Sequence, residues 1–305
     1  MKTYRQYLIW FASTALLGVL LTGALNLAVD PYDRFGLNRL GIYISAEREF
    51  KSTEFPRFAP NAVLLGNSRA ALIDVSGLRG HRFFNAAFGS ASVEEMRDFI
   101  DHYVHNQKLV VISLDASSFG PLTSPVADPF GPLTLRKSLD YVLSLQSVEY
   151  SVRTIDDHFK GKVTDLAANG SFCEANWAAK ADVADEATAQ RRVDELAEKM
   201  ATFRFDPERL EALHEIRALL EARRIPLVVY LAPVNRRVLQ GMAGTQGLVD
   251  LNRARDAIKE VLPQTIDLSD SEYSAPENFF KGDPVHFRSA VGQRFLNERV
   301  LKSID

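Results

Sequence analysis

The feature that most constrains this chain is an uncharged apolar stretch near its start. Residues 6–29 contain no charged side chain, and residues 7–29 read YLIWFASTALLGVLLTGALNLAV. As a helix, this segment would be about 35 Å long, enough to cross a hydrocarbon core of about 30 Å. A cleaved signal peptide has a shorter apolar core and ends at a small-x-small cleavage site. The sequence therefore favours an uncleaved transmembrane helix over residues 7–29.

The residues flanking this stretch predict its orientation. Lys2 and Arg5 precede it, whereas Asp30 and Asp33 follow it at once. Basic residues favour the cytoplasmic side, so we expect a cytoplasmic N-terminus and export of the chain from residue 30 onward. Aromatic residues stand at both ends, as is typical of membrane interfaces, with Tyr7, Trp10 and Phe11 at one end and Tyr32 at the other.

The composition of the whole chain is that of a packed globular protein. Of its 305 residues, 46% are hydrophobic and 25% are charged, and the formal net charge is −3. Lys and Arg do not cluster, so nucleic acid is not an expected partner. The single cysteine, Cys173, cannot form an intrachain disulfide or a cysteine-based metal site. We expect no metal and no cofactor.

Alternating strands and helices are predicted for most of the remaining chain. Apolar runs bounded by Pro, Gly or polar residues predict strands at Ala62–Leu65, 82–85, Leu109–Leu114, Leu227–Leu231 and 265–268. Helices are predicted at 92–105, from 206 onward, at 248–261 and at 287–301. Ser92 and Glu95 have the spacing of a capping box, and Asp206 followed by Pro207 is a typical helix start. This order predicts an α/β domain with a parallel central sheet, whose ligands bind beyond the carboxyl ends of the strands.

Two stretches interrupt this alternation. Residues 30–60 have no clear period and are interpreted as an irregular segment that leads into the domain. Residues 116–205 begin with a Pro/Gly-rich stretch and continue with apolar residues at helical spacing, which predicts a largely helical insertion. The predicted organisation is a cytoplasmic tip and anchor at 1–29, the segment 30–60, and a domain at 61–305 that contains the insertion at 116–205.

Two short polar motifs lie where such a fold would place its site. Gly66-Asn67-Ser68-Arg69 follows the first strand, and Asp283-Pro284-Val285-His286 precedes the last helix. A serine nucleophile needs a base to take its proton, and the base needs a carboxylate that orients it. Ser68, His286 and Asp283 are therefore the candidate triad. Each residue also has a plain structural interpretation, because Ser68 could cap a helix and His286 could be an ordinary surface group.

With these motifs, the chain resembles the SGNH (GDSL-type) hydrolase superfamily. Gly66-Asn67-Ser68-Arg69 is similar to its first block, residues 85–92 (NAAFGSAS) to its second, and Asp283 with His286 to its last. The resemblance covers roughly residues 60–115 and 206–300. It implies a three-layer flavodoxin-like SGNH fold with a parallel central sheet. It also implies an oxyanion hole formed by the backbone amides of Ser68 and of Gly89 or Ser90.

One position departs from the pattern of this superfamily. Its third block usually ends a strand with Gly-x-Asn-Asp, whose Asn completes the oxyanion hole, but here Asp115 stands near that place. An ionised carboxylate only accepts hydrogen bonds and would repel a developing oxyanion. Either another donor such as Ser117 serves, or esterase activity is weak or absent. Arg69, Asp115 and Ser117 are the candidate substrate-binding residues.

The anchor, the first motif and the altered third block together resemble the bacterial envelope branch of the superfamily. That resemblance implies a single-pass inner-membrane protein with its main domain in the periplasm or outside the cell. The implied function is that of a serine esterase or O-acyltransferase acting on an acylated envelope polymer or exopolysaccharide. The alternative is a catalytically weak or inactive scaffold that binds glycan or protein partners in an envelope assembly. An acyl-bearing carbohydrate, the inner membrane and an envelope protein complex are the expected partners.

Overall fold

The computed structural model describes residues 2–43, 47–121, 130 and 134–303. The chain divides into two compact units. Residues 1–53 and 131–166 form one, called here the anchor unit, and residues 54–130 and 167–305 form the other, called the α/β unit. The predicted insertion at 116–205 is therefore shared between the two units. Most of its Pro/Gly-rich start, at 122–129 and 131–133, lies outside the described residues.

The α/β unit contains a five-stranded sheet in which all neighbouring strands are parallel. Its strands are β1 (Ala62–Leu65), β2 (Phe83–Asn85), β3 (Leu109–Leu114), β4 (Leu227–Leu231) and β5 (Ile266–Asp267). An antiparallel hairpin of β6 (Phe279–Phe280) and β7 (Asp283–Phe287) lies outside this sheet. The structure confirms the predicted α/β class and parallel sheet.

The helices follow the strands in the order that the sequence predicts. Among the described residues they are α1 (Lys2–Val29), α2 (Glu47–Phe58), α3 (Ser68–Ala71), α4 (Val93–Tyr103), α5 (Leu135–Val142), α6 (Leu145–Phe159), α7 (Glu174–Ala181), α8 (Glu186–Ala201), α9 (Glu211–Ala222), α10 (Arg236–Gly241), α11 (Gln246–Val261) and α12 (Ser289–Phe295). The chain continues from α12 through a π-helical turn, Leu296–Val300, and a 3-10 turn, Leu301–Ser303. The predicted capping box is confirmed, because the Ser92 hydroxyl accepts from the Glu95 N–H and the Glu95 carboxylate accepts from the Ser92 N–H.

Apolar side chains cover both faces of the sheet. In β1, Val63 and Leu65 belong to one hydrophobic cluster and Ala62 and Leu64 to another. Successive side chains of a strand point to opposite faces, so the two clusters lie on the two faces. Strands that are buried on both sides read as continuous apolar runs, which is why the sequence showed β1, β3 and β4 clearly.

The strand order β2-β1-β3-β4-β5 fixes where a site can form. The chain leaves β1 towards β2 on one side and later returns to β3 on the other, so the order reverses between β1 and β3. In open parallel sheets, ligands bind outside the carboxyl ends of the strands at such a reversal, and this order is the flavodoxin-like one. Ser68 lies just after β1 and Asp115 just after β3, on the two sides of this point.

A buried asparagine joins the end of β2 to the helix that begins with Ser68. The Asn85 side chain donates to the carbonyls of Ala70, Ala71 and Ile73 at 2.9, 3.2 and 2.9 Å. Its own N–H donates to the Asn169 carbonyl at 2.8 Å. The Ala70 and Ala71 carbonyls also accept from the N–H groups of Ile73 and Phe172. Asn85 is fully buried, and its side chain completes the hydrogen bonding of this turn, where a buried group left unpaired costs about 1–3 kcal/mol. The short helix α3 is thereby held against the sheet.

The anchor unit consists of α1 and the helices α5 and α6 that pack on its end. The segment Thr3–Val29 is long and apolar enough to cross a membrane, a test that a signal sequence also passes. Residues 3–21 of α1 are exposed along their whole length. After α1, Asp30 adopts a left-handed conformation (φ 45°), and its carboxylate accepts from the amides of Arg34, Phe35 and Leu37.

Three expectations from the sequence are wrong. Residues 30–60 are not irregular throughout, because Glu47–Phe58 is the helix α2. Its polar composition and the internal Pro56 concealed the helical pattern. Tyr32 is not an exposed aromatic residue, as its expected role at a membrane interface requires: it is buried and stacks on Tyr141 with ring centroids 5.2 Å apart. The last α-helix is shorter than predicted, because its second half is the π-helical turn.

Candidate active site

The turn after β1 presents Ser68 at the carboxyl edge of the sheet. Gly66 has a φ of +156°, and a Cβ there would lie 2.8 Å from the Ser113 Cβ of the neighbouring strand, so only glycine fits. Asn67 is the N-cap of α3, and its side-chain oxygen accepts from the Arg69 N–H at 3.1 Å. Ser68 is therefore the first residue of a capped helix.

The hairpin of β6 and β7 brings Asp283 and His286 to the same place. The sequence predicted the pair just before the last helix, and the structure places both residues in β7. One Asp283 oxygen accepts from the N–H groups of Val285 and His286 at 3.0 and 3.2 Å. These two bonds fold the chain back on itself, so that a carboxylate and an imidazole three residues apart can meet.

The three predicted residues form a continuous hydrogen-bonded series. Ser68 Oγ lies 2.8 Å from His286 Nε2, and His286 Nδ1 lies 2.7 Å from Asp283 Oδ2. An ionised carboxylate only accepts hydrogen bonds, so Nδ1 holds the imidazole proton and Nε2 accepts from the Ser68 hydroxyl. This tautomer is the one in which a histidine can take the proton of a serine nucleophile.

The environment of Asp283 keeps its carboxyl ionised. Burial by itself would raise the pKa of Asp283. The hydrogen bond from His286, the positive charge of its imidazole when protonated, and the N–H of Trp177 outweigh burial and hold this pKa below its usual value. Asp283 is therefore available to orient His286 and to stabilise the imidazolium that forms when Ser68 is deprotonated.

Sequence reasoning missed Trp177, which contacts two members of the series. Its indole Nε1 donates to Asp283 Oδ2 at 2.8 Å, the same oxygen that lies next to His286. Its ring also packs edge-on against the imidazole, with centroids 4.6 Å apart. Trp177 belongs to α7, within the predicted insertion, and no local pattern marks it as part of a site. We assign it as a positioning residue for Asp283 and His286.

Helix α7 is fixed to the hairpin that holds Asp283 and His286. The Gly282 N–H donates to the Ala181 carbonyl at 2.9 Å, and Arg288 reaches both oxygens of Asp182 at 3.1 Å. The Ser289 N–H donates to the Glu174 carboxylate at 3.1 Å. These bonds lie on both sides of Trp177 in the sequence, so its ring is held in one place relative to the imidazole.

Arg69, Asp115 and Ser117 are engaged with one another. Arg69 Nη2 lies 3.3 Å from Asp115 Oδ2, and both residues are buried, with 3% and 7% of their surface exposed. The Ser117 hydroxyl and N–H donate to Asp115 Oδ1 at 2.8 and 3.0 Å. Arg69 also donates to the Pro233 carbonyl at 3.3 Å, which joins the ends of three strands. The charge of Asp115 is therefore compensated, and the Ser117 proton is committed to it.

The second motif forms a turn beside the first. The Phe88 N–H donates to the Gly66 carbonyl at 3.2 Å, which connects residues 85–92 to the end of β1. The left-handed residue of this turn is Ser90, with a φ of 54°, and not Gly89. The candidate amides of Gly89 and Ser90 thus follow directly after a residue that is hydrogen-bonded to the turn before Ser68.

One cavity of the α/β unit lies at the opposite edge of the sheet from Ser68. A cavity of about 930 Å³ is lined by Pro226, Leu227 and Thr265, among other residues. These residues lie at the amino ends of β4 and β5, the opposite edge of the sheet from Ser68. Within the part of the chain that the structure describes, no group of three or more His, Cys, Asp or Glu side chains is placed to hold a metal ion.

No protein-family model matches this chain, and no curated protein matches it. The resemblance to SGNH hydrolases rests on the motifs quoted above.

The hydrogen bond from Trp177 predicts a measurable effect of Trp177→Phe on the reactivity of Ser68. This change keeps an aromatic ring but removes the N–H, and a hydrogen bond to a charged group contributes about 1.5–3 kcal/mol. We expect the rate of labelling by a serine-directed fluorophosphonate to fall about tenfold or more.

The control for Trp177→Phe is Trp10→Phe, the same substitution in the exposed part of α1. It should leave the labelling rate unchanged. Equal labelling rates for Trp177→Phe and the wild type would show that Trp177 does not position the Asp283–His286 pair.

The ion pair between Arg69 and Asp115 predicts a pH-dependent loss of stability in Asp115→Asn. Burial would raise the pKa of Asp115, but Arg69 and Ser117 hold it below its usual value. A lowered native pKa stabilises the fold above about pH 4, and this contribution disappears as the pH falls through the lowered value. In urea denaturation at pH 7, we expect a loss of about 3–5 kcal/mol, because Arg69 stays buried without its counter-charge.

The difference between Asp115→Asn and the wild type should shrink below about pH 4. Adding Arg69→Met to Asp115→Asn removes the unpaired charge and should recover part of the lost stability. A gap in unfolding free energy that is independent of pH, or no recovery in the double variant, would contradict this interpretation.

Proposed function

We propose that this chain is an SGNH-like serine esterase or O-acyltransferase. The observation that supports it most is the series from Ser68 Oγ through His286 to Asp283, with distances of 2.8 and 2.7 Å. The series lies at the carboxyl edge of a parallel sheet, where the strand order reverses. This arrangement supports the proposal because it has the geometry in which a serine, its base and the carboxylate that orients the base carry out acyl transfer.

The proposed reaction begins with attack of Ser68 Oγ on an acyl carbonyl. His286 Nε2 takes the hydroxyl proton, and the imidazolium then gives it to the departing alkoxide of the ester. In the second half of the reaction, His286 Nε2 takes a proton from water or from a sugar hydroxyl, which attacks the acyl group on Ser68. The imidazolium then returns the proton to Ser68 Oγ as that oxygen leaves. Water completes hydrolysis, and a sugar hydroxyl completes transfer of the acyl group. The backbone amides of Ser68 and of Gly89 or Ser90 would donate to the oxyanion.

Several observations support the three-layer SGNH form of the fold. The strand order is flavodoxin-like, both faces of the sheet bear apolar clusters, and the three motifs converge at one edge. Asp115 replaces the family's Asn donor, and its compensation by Arg69 reduces the repulsion of an oxyanion without supplying the missing donor. That missing donor favours a second candidate function, a weak or inactive scaffold that binds envelope glycans or proteins.

We further propose that α1 anchors the protein in a bacterial inner membrane, with a cytoplasmic N-terminus and the α/β unit on the exported side. Residues 3–21 of α1 are exposed and apolar, and Lys2 and Arg5 precede most of the span. In this location, the substrate would be an acylated envelope polymer or exopolysaccharide.

Substitution of the triad tests the enzymatic function. Ser68→Ala and His286→Ala should each lower the turnover of p-nitrophenyl acetate by about 1,000-fold or more, and the double variant should lose little beyond either. Asp283→Asn should keep more activity, because the imidazole remains but is poorly oriented. The matched control is Ser76→Ala, an exposed serine that bonds to Asp74. Full activity in Ser68→Ala would end the serine-enzyme proposal, and an inactive, unlabelled wild type would favour the scaffold.

Membrane fractionation tests the anchor. Full-length protein should stay in the membrane pellet after alkaline carbonate washing, because an apolar helix of this length inserts stably. Protease added to spheroplasts should digest the chain beyond residue 30 and spare the N-terminal tip. Recovery of a soluble mature chain that starts near residue 30 would instead identify residues 7–29 as a cleaved signal.

A further inference from the structure

Four leucine side chains of the anchor unit form an exposed stripe beside the end of α1. Leu135, Leu139 and Leu143 recur at every fourth position along α5 and the residue that follows it, and Leu145 begins α6. Their exposed fractions are 77%, 50%, 45% and 79%. Residues four apart lie on the same face of a helix, so Leu135, Leu139 and Leu143 share one face. Together with Leu145 at the start of α6, they are called here the leucine stripe.

Contacts with α1 place the Leu143 end of this stripe at the level of the exported end of the proposed membrane span. A span of about 20 residues that starts at residue 7 ends near residue 26. A Cβ on Gly23 would lie 3.3 Å from Val142 and 3.6 Å from Leu143. Since Gly23 lies within the last turns of that span, the end of α5 lies alongside the exported end of the span. The Leu143 end of the leucine stripe therefore lies beside α1 near the exported end of the span.

The contacts of Asn26 support the same depth in the membrane for the turn between α5 and α6. Its Nδ2 donates to the carbonyls of Val142 and Ser144 at 2.9 and 3.1 Å, and its Oδ1 accepts from the Ser151 hydroxyl at 3.0 Å. Carbonyls at the end of a helix can bond to water at a surface, but in hydrocarbon an unpaired one costs several kcal/mol. A buried asparagine supplies these bonds here, so the turn between α5 and α6 can enter the apolar layer.

The charged residues of α5 fit a helix at an interface. Arg136 lies next to the stripe and is 91% exposed, and its contact with Asp140 is long, at 3.8 Å. A long cationic side chain beside an apolar face can extend to lipid phosphates while its stem covers apolar surface. The leucine stripe, with the exposed Arg136 beside it, therefore differs from a surface that is only apolar.

We propose that the leucine stripe is embedded in the exported leaflet of the bilayer, so that α5 lies in the membrane interface beside α1. This inference rests on the proposed anchoring by α1. It predicts a second membrane contact that limits how the anchor unit tilts and rotates at the surface, which a lone spanning helix does not.

Site-specific fluorescence in vesicles tests the inference. Full-length protein with Cys173→Ser would receive a single cysteine by Leu20→Cys, Leu135→Cys, Leu139→Cys or Asp140→Cys, labelled with a nitrobenzoxadiazole dye. Vesicles of phosphatidylethanolamine and phosphatidylglycerol would contain lipids with a doxyl quencher near the headgroup. Quenching at Leu135 and Leu139 should be several-fold stronger than at Asp140, the matched control on the polar side of the same helix. Both leucines are exposed, so these changes leave the core intact.

Every outcome separates this inference from the anchor. Strong quenching at Leu20 with equally weak quenching at Leu139 and Asp140 would overturn the inference and leave the anchor standing. Weak quenching at Leu20 would mean that the anchor proposal itself fails, and with it the basis of the inference. A label at Leu139 that is shielded from doxyl lipid and from aqueous iodide alike would show that protein, such as a second copy of the chain, covers the stripe and would also overturn it.

Discussion

One partly buried carboxylate, that of Asp283, determines how His286 is presented to Ser68. Its oxygens meet four nitrogen groups, from the backbone of Val285 and His286, the imidazole Nδ1 and the indole of Trp177. The backbone bonds bend β7, the imidazole bond sets the tautomer, and the indole bond joins the hairpin to α7. A charged acceptor with this many donors stays ionised despite its burial. The geometry around Ser68 thus depends on a residue that does not touch it.

The parts of the fold that the sequence predicted are those with a local signal. Buried parallel strands read as apolar runs, and the triad residues lie in short motifs at their ends. Trp177 could not be predicted, because it meets Asp283 across 106 positions and its helix resembles any other amphipathic segment. Helix α2 was missed because its buried aromatic residues, Phe50 and Phe55, are five apart, and Pro56 lies inside it. The sequence showed that Asp115 departs from the pattern of the SGNH superfamily. Its ion pair with the buried Arg69 is a tertiary contact, which the spacing of residues along the chain does not predict.

Both units use a buried asparagine in the same way. Asn26 bonds the carbonyls between α5 and α6, and Asn85 bonds those at the end of α3. In each case a single side-chain amide replaces the water that would otherwise solvate the end of a helix. The carbonyl groups can then lie in an apolar environment, which is hydrocarbon in the proposed setting of the anchor unit and the protein interior in the α/β unit.

The loop around Asn169 and Gly170 has a consequence for self-association. β2 is an edge strand, and such strands expose backbone groups with which other chains can pair. Here the Asn169 carbonyl takes the Asn85 N–H, and Gly170 approaches so closely that a Cβ would lie 2.3 Å from the Asn85 carbonyl. The opposite edge, β5, is only two residues long. Within the part of the chain that the structure describes, one border of the sheet is thus covered at Asn85 and the other is very short, so both limit pairing with a strand from a neighbouring molecule.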